Sequence, residues 1–209
     1  VIHGDHVSRE TMEEVGMGLA PLGEEQAEIV HRAMAGSLLR TESALGLMAR
    51  MAGHPQHARR HLARALHLAT LVDDVGSERK AMRRLGMLAL QSGDETRAFD
   101  LFTTAANQPT KHDADAVPSM VLAAIASSLT GDNASATAWV DKASARIMKD
   151  PTAGGDMLER VGKALLAIDR PELAIELFDE AMECATIAGN EERHDALSTC
   201  ICLLYTSDA

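Results

Sequence analysis

The feature that most constrains the fold of this chain is a short turn motif that recurs with a period of 38 to 40 residues. Each turn opens on Gly or Asp and ends on Ala. The four turns are Gly53–Ala58, Gly93–Ala98, Gly131–Ala136 and Asp169–Ala174. A fixed period of about 20 to 50 residues is the signature of a stacked array, in which each unit packs only on its neighbours.

Four columns of similar residues flank these turns. A small residue precedes each turn, and an Ala, a large apolar residue and a second Ala follow it. In order, the columns are Gly46, Gly86, Ala124 and Gly162; Ala58, Ala98, Ala136 and Ala174; Leu62, Phe102, Val140 and Phe178; and Ala65, Ala105, Ala143 and Ala181. Two antiparallel helices approach closely only where their side chains are small, so the columns predict the interface within a helical hairpin.

The turn residues predict how each hairpin is closed. Gly adopts a left-handed backbone conformation at little steric cost and ends the first helix. We expect Asp94 and Asp132 to cap the second helix, and Pro55 and Pro171 to occupy its first turn. The predicted helices are 24–38, 41–52, 56–72, 78–92, 95–107, 117–130, 133–149, 156–168 and 171–188.

The order of small, Ala, aromatic and Ala columns resembles the tetratricopeptide repeat, over about residues 41–190. The period exceeds the usual 34 residues of that family, and smaller residues fill its first-helix Trp and Tyr positions. The longer period is similar to arrays in bacterial signal-transducing ATPases and their regulators. The resemblance implies an all-α fold, a right-handed α-solenoid of antiparallel helical hairpins.

The sequence predicts three segments. Residues 1–40 form N-terminal helices, with 8–19 as part of an eroded hairpin. Residues 41–190 form four hairpins, with the loosest points at 108–116 and 150–156. Residues 191–209 form the truncated first helix of a fifth repeat. The last eight residues, from Cys202, resemble translated adapter read-through, and we expect the chain to be a fragment of a bacterial protein.

Composition argues against several function classes. The formal net charge is −11 and only 2% of residues are aromatic, so the chain neither attracts a phosphate backbone nor offers bases a stacking surface. The three cysteines form no CxxC pair, and no apolar run approaches the roughly 20 residues that span a bilayer. We therefore expect a cytoplasmic protein that binds neither nucleic acid nor membrane.

No nucleophile, phosphate-binding or dinucleotide-binding motif occurs, and we expect no catalytic site and no cofactor. The best metal candidate is the histidine cluster His54, His57, His61 and His67. His57 and His61 share a helix face, but neighbouring arginines oppose a dication. We expect no metal site, and solvent-exposed histidines.

The family resemblance implies that the first helices line a concave groove. This stripe is the predicted partner-binding surface. Its residues are Arg40, Ser43, Leu47, Arg50, Lys80, Arg83, Met87, Leu90, Val121, Ile125, Ser128, Glu159, Lys163 and Leu166. The groove is basic at one end and apolar in the middle, which suits an amphipathic helix or an acidic-apolar peptide, with Met87 able to adapt its shape. The alternative is that Leu47, Met87 and Ile125 pack internally.

These features predict a non-catalytic scaffold that binds a protein or peptide. The alternative is a sensor module that regulates an attached ATPase or DNA-binding domain. The sequence specifies neither the partner nor the oligomeric state.

Overall fold

The computed structural model of the chain describes residues 23–110 and 112–207, and this part is helical with no strand. The predicted all-α hairpin array is confirmed. Its helices are α1 Glu24–Met51, α2 Pro55–Leu71, α3 Val75–Gln91, α4 Glu95–Asn107, α5 Val117–Leu129, α6 Asn133–Ile147, α7 Pro151–Leu166, α8 Pro171–Ile187 and α9 Glu191–Ser207, with a 3-10 helix at Asp113–Ala116. Successive pairs from α1–α2 to α7–α8 form four hairpins, and α9 packs on α8.

The four turns have the predicted conformation. Gly53, Gly93 and Gly131 have φ values of 74°, 73° and 81°, and Asp169 adopts the same left-handed region at 60°. The carboxylate of Asp132 accepts a hydrogen bond from the backbone N–H of Ser135 at 3.1 Å, which caps α6. Asp94 caps α4 in the same way.

The small residues of the first helices lie directly against the large residues of the second. A Cβ built on Gly162 would lie 2.6 Å from Phe178 Cε1, and one built on Gly46 would lie 2.8 Å from Leu62 Cδ2. Gly86 meets Phe102 in the same way. No real Cβ fits at these distances, so the glycines set how closely the two helices of these three hairpins approach.

The third hairpin, α5–α6, departs from the predicted columns. Val140 is 49% exposed, whereas its counterparts Leu62, Phe102 and Phe178 are buried. Trp139, one residue earlier, is buried instead. The buried face of α6 is therefore rotated from the predicted one, and α7 packs more broadly on α5 than on α6.

Two predicted helix boundaries are wrong. Helices 24–38 and 41–52 are one continuous helix, α1, because Leu39 is buried beside Ala65 and Ala69 and no Gly or Pro interrupts the junction. The boundary placed after residue 40 therefore lies within a helix.

The stretch 150–156 is not a loose connection, because α7 already begins at Pro151. The Asp150 carboxylate caps α7 through the Ala153 N–H at 3.0 Å. Proline is favoured in the first turn of a helix, as here. Gly154 and Gly155 are helical and lie against Ile147 and Cys184.

α9 follows the fourth hairpin, and its residues Leu197 and Ile201 are buried in the core that extends from α3. The predicted eroded hairpin at 8–19 lies outside the described residues.

Candidate partner-binding groove

The middle of the predicted groove is closed. Met87, Leu90 and Val121 are each less than 10% exposed and belong to the core that joins α3 and α4 to α5. They are wrongly assigned to the groove, and Met87 does not offer an adaptable contact, because the next hairpin packs over them. Of the three residues for which internal packing was the alternative, Met87 is buried, Ile125 is partly buried against the same core, and Leu47 is partly buried.

The remaining groove residues form two accessible parts. The N-terminal part is Arg40, Ser43, Leu47, Arg50, Lys80 and Arg83. The C-terminal part is Ile125, Ser128, Glu159, Lys163 and Leu166. Arg40, Lys80, Ser128 and Lys163 are exposed, and the others are partly buried.

Three arginines of α3, one of which is the groove residue Arg83, donate hydrogen bonds to groups on α1, on α5 and on the connection between α4 and α5. Arg79 is 5% exposed and donates a hydrogen bond to the Pro109 carbonyl at 2.6 Å. Arg84 donates to the Ser43 carbonyl at 3.3 Å. Arg83 reaches the Asp115 carbonyl and the Ser119 hydroxyl at 3.5 Å, at the limit of hydrogen bonding. We call these three residues the arginine cluster.

The arginine cluster carries concentrated positive charge. Burial lowers the pKa of Arg83 to about 10, the neighbouring charges of Arg79 and Arg84 act in the same direction, and the negative charge of Asp115 opposes them. Burial also lowers the pKa of Arg84, with a further effect from the charge of Arg50. Among the described residues, no carboxylate forms an ion pair with any of the three, and the buried Arg79 Nε has no hydrogen-bond acceptor. A buried guanidinium without an anionic partner is an electrostatic cost that an anion would relieve.

The C-terminal part is internally neutralised. Glu159 accepts from Lys163 at 2.5 Å and from Arg193 of α9 at 2.7 Å, and Arg193 also pairs with Asp156. Side-chain hydrogen bonding to Glu159, followed by its negative charge, raises the pKa of Lys163. This network ties α7 to α9.

One member of the histidine cluster, His61, is not fully exposed to solvent as predicted. His61 is partly buried and lies 2.6 Å from Glu42 through its Nδ1, and Arg64 lies 3.6 Å from the other oxygen of that carboxylate. Glu42 lies on α1, 19 residues before His61, so no local spacing in the sequence indicates this contact. His54 and His57 pack edge to face at 5.8 Å and remain exposed. Within residues 23–110 and 112–207, no group of three His, Cys, Asp or Glu residues is arranged to hold a metal ion.

A second concave feature was not predicted. A cleft of about 600 Å³ lies between the connection that follows α4 and one side of α6. Trp139 forms part of its wall, and the Lys142 ammonium lies 4.1 Å from the Trp139 ring centroid in a cation–π contact. Trp139, Lys142 and Arg146 are spaced three and four residues apart in the sequence, which places them on one side of α6. This spacing could have indicated the wall of the cleft.

None of the described helices is both long enough and apolar enough to cross a membrane.

Comparison with known proteins gives a structural likeness only. No family model matches the chain, and no curated protein matches it significantly. A crystal structure of the MamA protein is 14% identical, with a TM-score of 0.45, over 78% of this chain and 88% of that one. A kinesin light chain from Podosopora anserina with nearly identical TPR-like repeats is 14% identical, with a TM-score of 0.47, over 82% of this chain and 97% of that one.

Proposed function

We propose that this protein is a non-catalytic scaffold that binds an acidic segment of a partner protein along the N-terminal part of its groove. The observation that carries the proposal is the arginine cluster, in which Arg79 is buried, Arg83 and Arg84 are partly buried, and no carboxylate of the described residues lies within ion-pair distance. Arg40, Arg50 and Lys80 add three further cations on the same stripe of first-helix residues.

Charge complementarity supports an acidic partner. The chain as a whole carries a net charge of −11, so a positive groove is a local exception to its surface. Such a local potential steers an oppositely charged ligand to one site and opposes binding elsewhere. The partly buried Leu47 lies among these cations and supplies an apolar contact, so the preferred ligand combines carboxylates with apolar side chains.

The proposal is tested by fluorescence anisotropy with a labelled synthetic peptide that alternates Glu and Leu. Lys80→Glu reverses an exposed groove charge, and we expect it to raise the Kd about tenfold, equivalent to about 1.4 kcal/mol. Arg97→Glu is the matched control, since Arg97 is exposed on α4, the second helix of its hairpin, and the charge change is identical.

The control should bind like the parent protein, and affinity should fall with added salt. Equal weakening by the two variants would show non-specific attraction and contradict the groove assignment. Equal affinity for a peptide in which Lys replaces Glu, or no binding at all, would contradict the acidic partner.

A further inference from the structure

One side of α1 is exposed and uncharged along the whole helix. The residues of this side recur every three or four positions, in several places as two neighbouring residues. This spacing places them on one face of an α-helix. We call it the neutral face. Its residues are Gln26, Ala27, Val30, Ala33, Met34, Ser37, Leu38, Thr41, Ala44, Leu45, Met48 and Met51. Ala27 is partly buried and all the others are exposed, and no Asp, Glu, Lys or Arg occurs among them.

The repeat shows what such a face is for. Leu45 and Met48 of α1 correspond to Leu85 and Leu88 of α3, one repeat later. Leu85 and Leu88 are 9% and 2% exposed, because they pack in one cluster with Ala58 and Leu62 of the preceding hairpin. Leu45 and Met48 are 39% and 63% exposed. Their chemistry is that of a helix-packing surface, and no described residue covers them.

The neutral face is longer than the helix surface that one hairpin of this array can cover. α1 has 28 residues, whereas α3 and α7 have 17 and 16. Arg32 contacts the Val72 carbonyl and the Asp73 carboxylate at 3.1 and 3.0 Å, which places it level with the end of α2. Residues 24–31 therefore project past α2 by about 12 Å. Val30 lies on this projection, where the inner hairpins have no counterpart.

We propose that the neutral face binds the same face of a second copy of this chain, with the two α1 helices antiparallel. Before α3, the chain reverses at Asp73, which allows α2 to fold back along α3. The position of α1 that corresponds to the start of α3 is Ala35, where the chain does not reverse but stays helical. The residues before Ala35 therefore extend away from Leu45 and Met48 and do not fold back over them. An antiparallel α1 has the length to cover both the repeat portion and the projection.

The side chains complement one another in this arrangement. If Val30 lies opposite Met48 of the other copy, large residues meet small ones across the interface, and each pair occurs twice by symmetry. Met34 lies level with Ala44 and Met51 with Ala27, and the small polar residues Ser37 and Thr41 lie level with each other. Alternation of large and small residues allows close packing. Arg40 lies level with Leu38 at the edge of the interface, where its exposed guanidinium can extend into solvent, so the contact does not require a charge to be buried.

The buried area is sufficient for a stable contact. The six large residues of the face are 39% to 77% exposed. At roughly 100 Å² of apolar surface each, they contribute about 600 Å² per copy and about 1,200 Å² in total, which reaches the lower end of specific interfaces.

Sedimentation velocity of the full chain over the micromolar range tests the proposal. We expect a dimer, and we expect Met34→Glu with Met48→Glu to raise its dissociation constant by about 100-fold or more. Both residues are more than 60% exposed, so the monomer should keep its helical content and melting temperature. Met148→Glu is the control, since Met148 is 66% exposed beyond α6, and its dimer should persist.

If the parent protein is a monomer, the proposal is overturned. This holds both if residues 1–22 cover the neutral face and if nothing covers it. Cross-linking tests the orientation in a background where Ser replaces the exposed Cys200 and Cys202. Met34→Cys with Ala44→Cys should form a disulfide-linked dimer, and Met34→Cys alone should not. A dimer linked through Met34→Cys alone indicates a parallel pair and contradicts the proposed register.

Discussion

The second and third hairpins contain the same turn and the same Ala columns, yet they pack their second helices differently. In the second hairpin, Gly86 lies against Phe102, which is fully buried. In the third, the small residue is Ala124, and Val140 at the Phe102 position is half exposed. The burial of Trp139 takes the place of that contact.

This difference shows that the turn and the interface are specified separately. Gly131 and Asp132 close the third hairpin just as Gly93 and Asp94 close the second, so the turn tolerates a change in helix packing. The rotation of α6 follows the side chain that offers the most apolar surface. Burying Trp139 removes more apolar area from water than burying Val140.

The two hairpins should differ most in how much stability is lost when the large apolar residue of the second helix, Phe102 or Val140, is replaced by Ala. Phe102→Ala should lower the free energy of unfolding by about 3–5 kcal/mol, because it leaves a cavity against Gly86. Val140→Ala should change it by less than about 0.5 kcal/mol, because the side chain is half exposed. Urea unfolding followed by circular dichroism measures both values. A comparable loss in the two variants would mean that Val140 occupies the column after all.

A smaller effect is expected from the glycines. Gly162→Ala places a methyl group 2.6 Å from Phe178 Cε1, and we expect it to lower the free energy of unfolding by about 1–3 kcal/mol through overpacking. Gly36→Ala is the matched control on α1, where an added Cβ meets no atom within 4 Å. It should raise the free energy by about 0.5–1 kcal/mol through helix propensity.

A double-mutant cycle distinguishes steric overlap from a general effect of Ala in α7. Phe178→Leu in the Gly162→Ala background should cost less than Phe178→Leu alone, because the shorter side chain relieves the overlap. Additive costs would show that Gly162 does not set the helix spacing.

The turns and three of the four hairpin interfaces were predictable because their causes are local or recur in the sequence. A left-handed residue, an Asp cap and a Gly opposite Phe each leave a recognisable residue at a fixed position. The continuity of α1 was missed because it depends on Leu39 finding a buried site between Ala65 and Ala69 of α2. The Glu42–His61 contact was missed for a similar reason, since it joins two helices.

The groove was predicted only in part because periodicity identifies a helix face but not what covers it. Met87 and Arg83 lie four residues apart on α3, and the sequence placed both on one accessible stripe. The neighbouring hairpin buries Met87 and leaves Arg83 partly accessible. That outcome depends on the side chains of the other helices in the shared core, which the periodicity of α3 does not contain.

The smallest effect concerns the turn that differs in residue type but not in conformation. Asp169 holds the left-handed conformation that Gly131 adopts in the third hairpin, with φ values of 60° and 81°. This region is strained for a residue with a Cβ, although Asp tolerates it better than most. Asp169→Gly should therefore raise the free energy of unfolding by about 0.5 kcal/mol, after the greater flexibility of Gly in the unfolded chain is subtracted. Gly131→Ala should lower it by about 1 kcal/mol. Thermal unfolding of the two variants beside the parent protein measures both signs, and a loss of stability in Asp169→Gly would show that the Asp169 side chain, rather than its backbone conformation, holds the fourth turn.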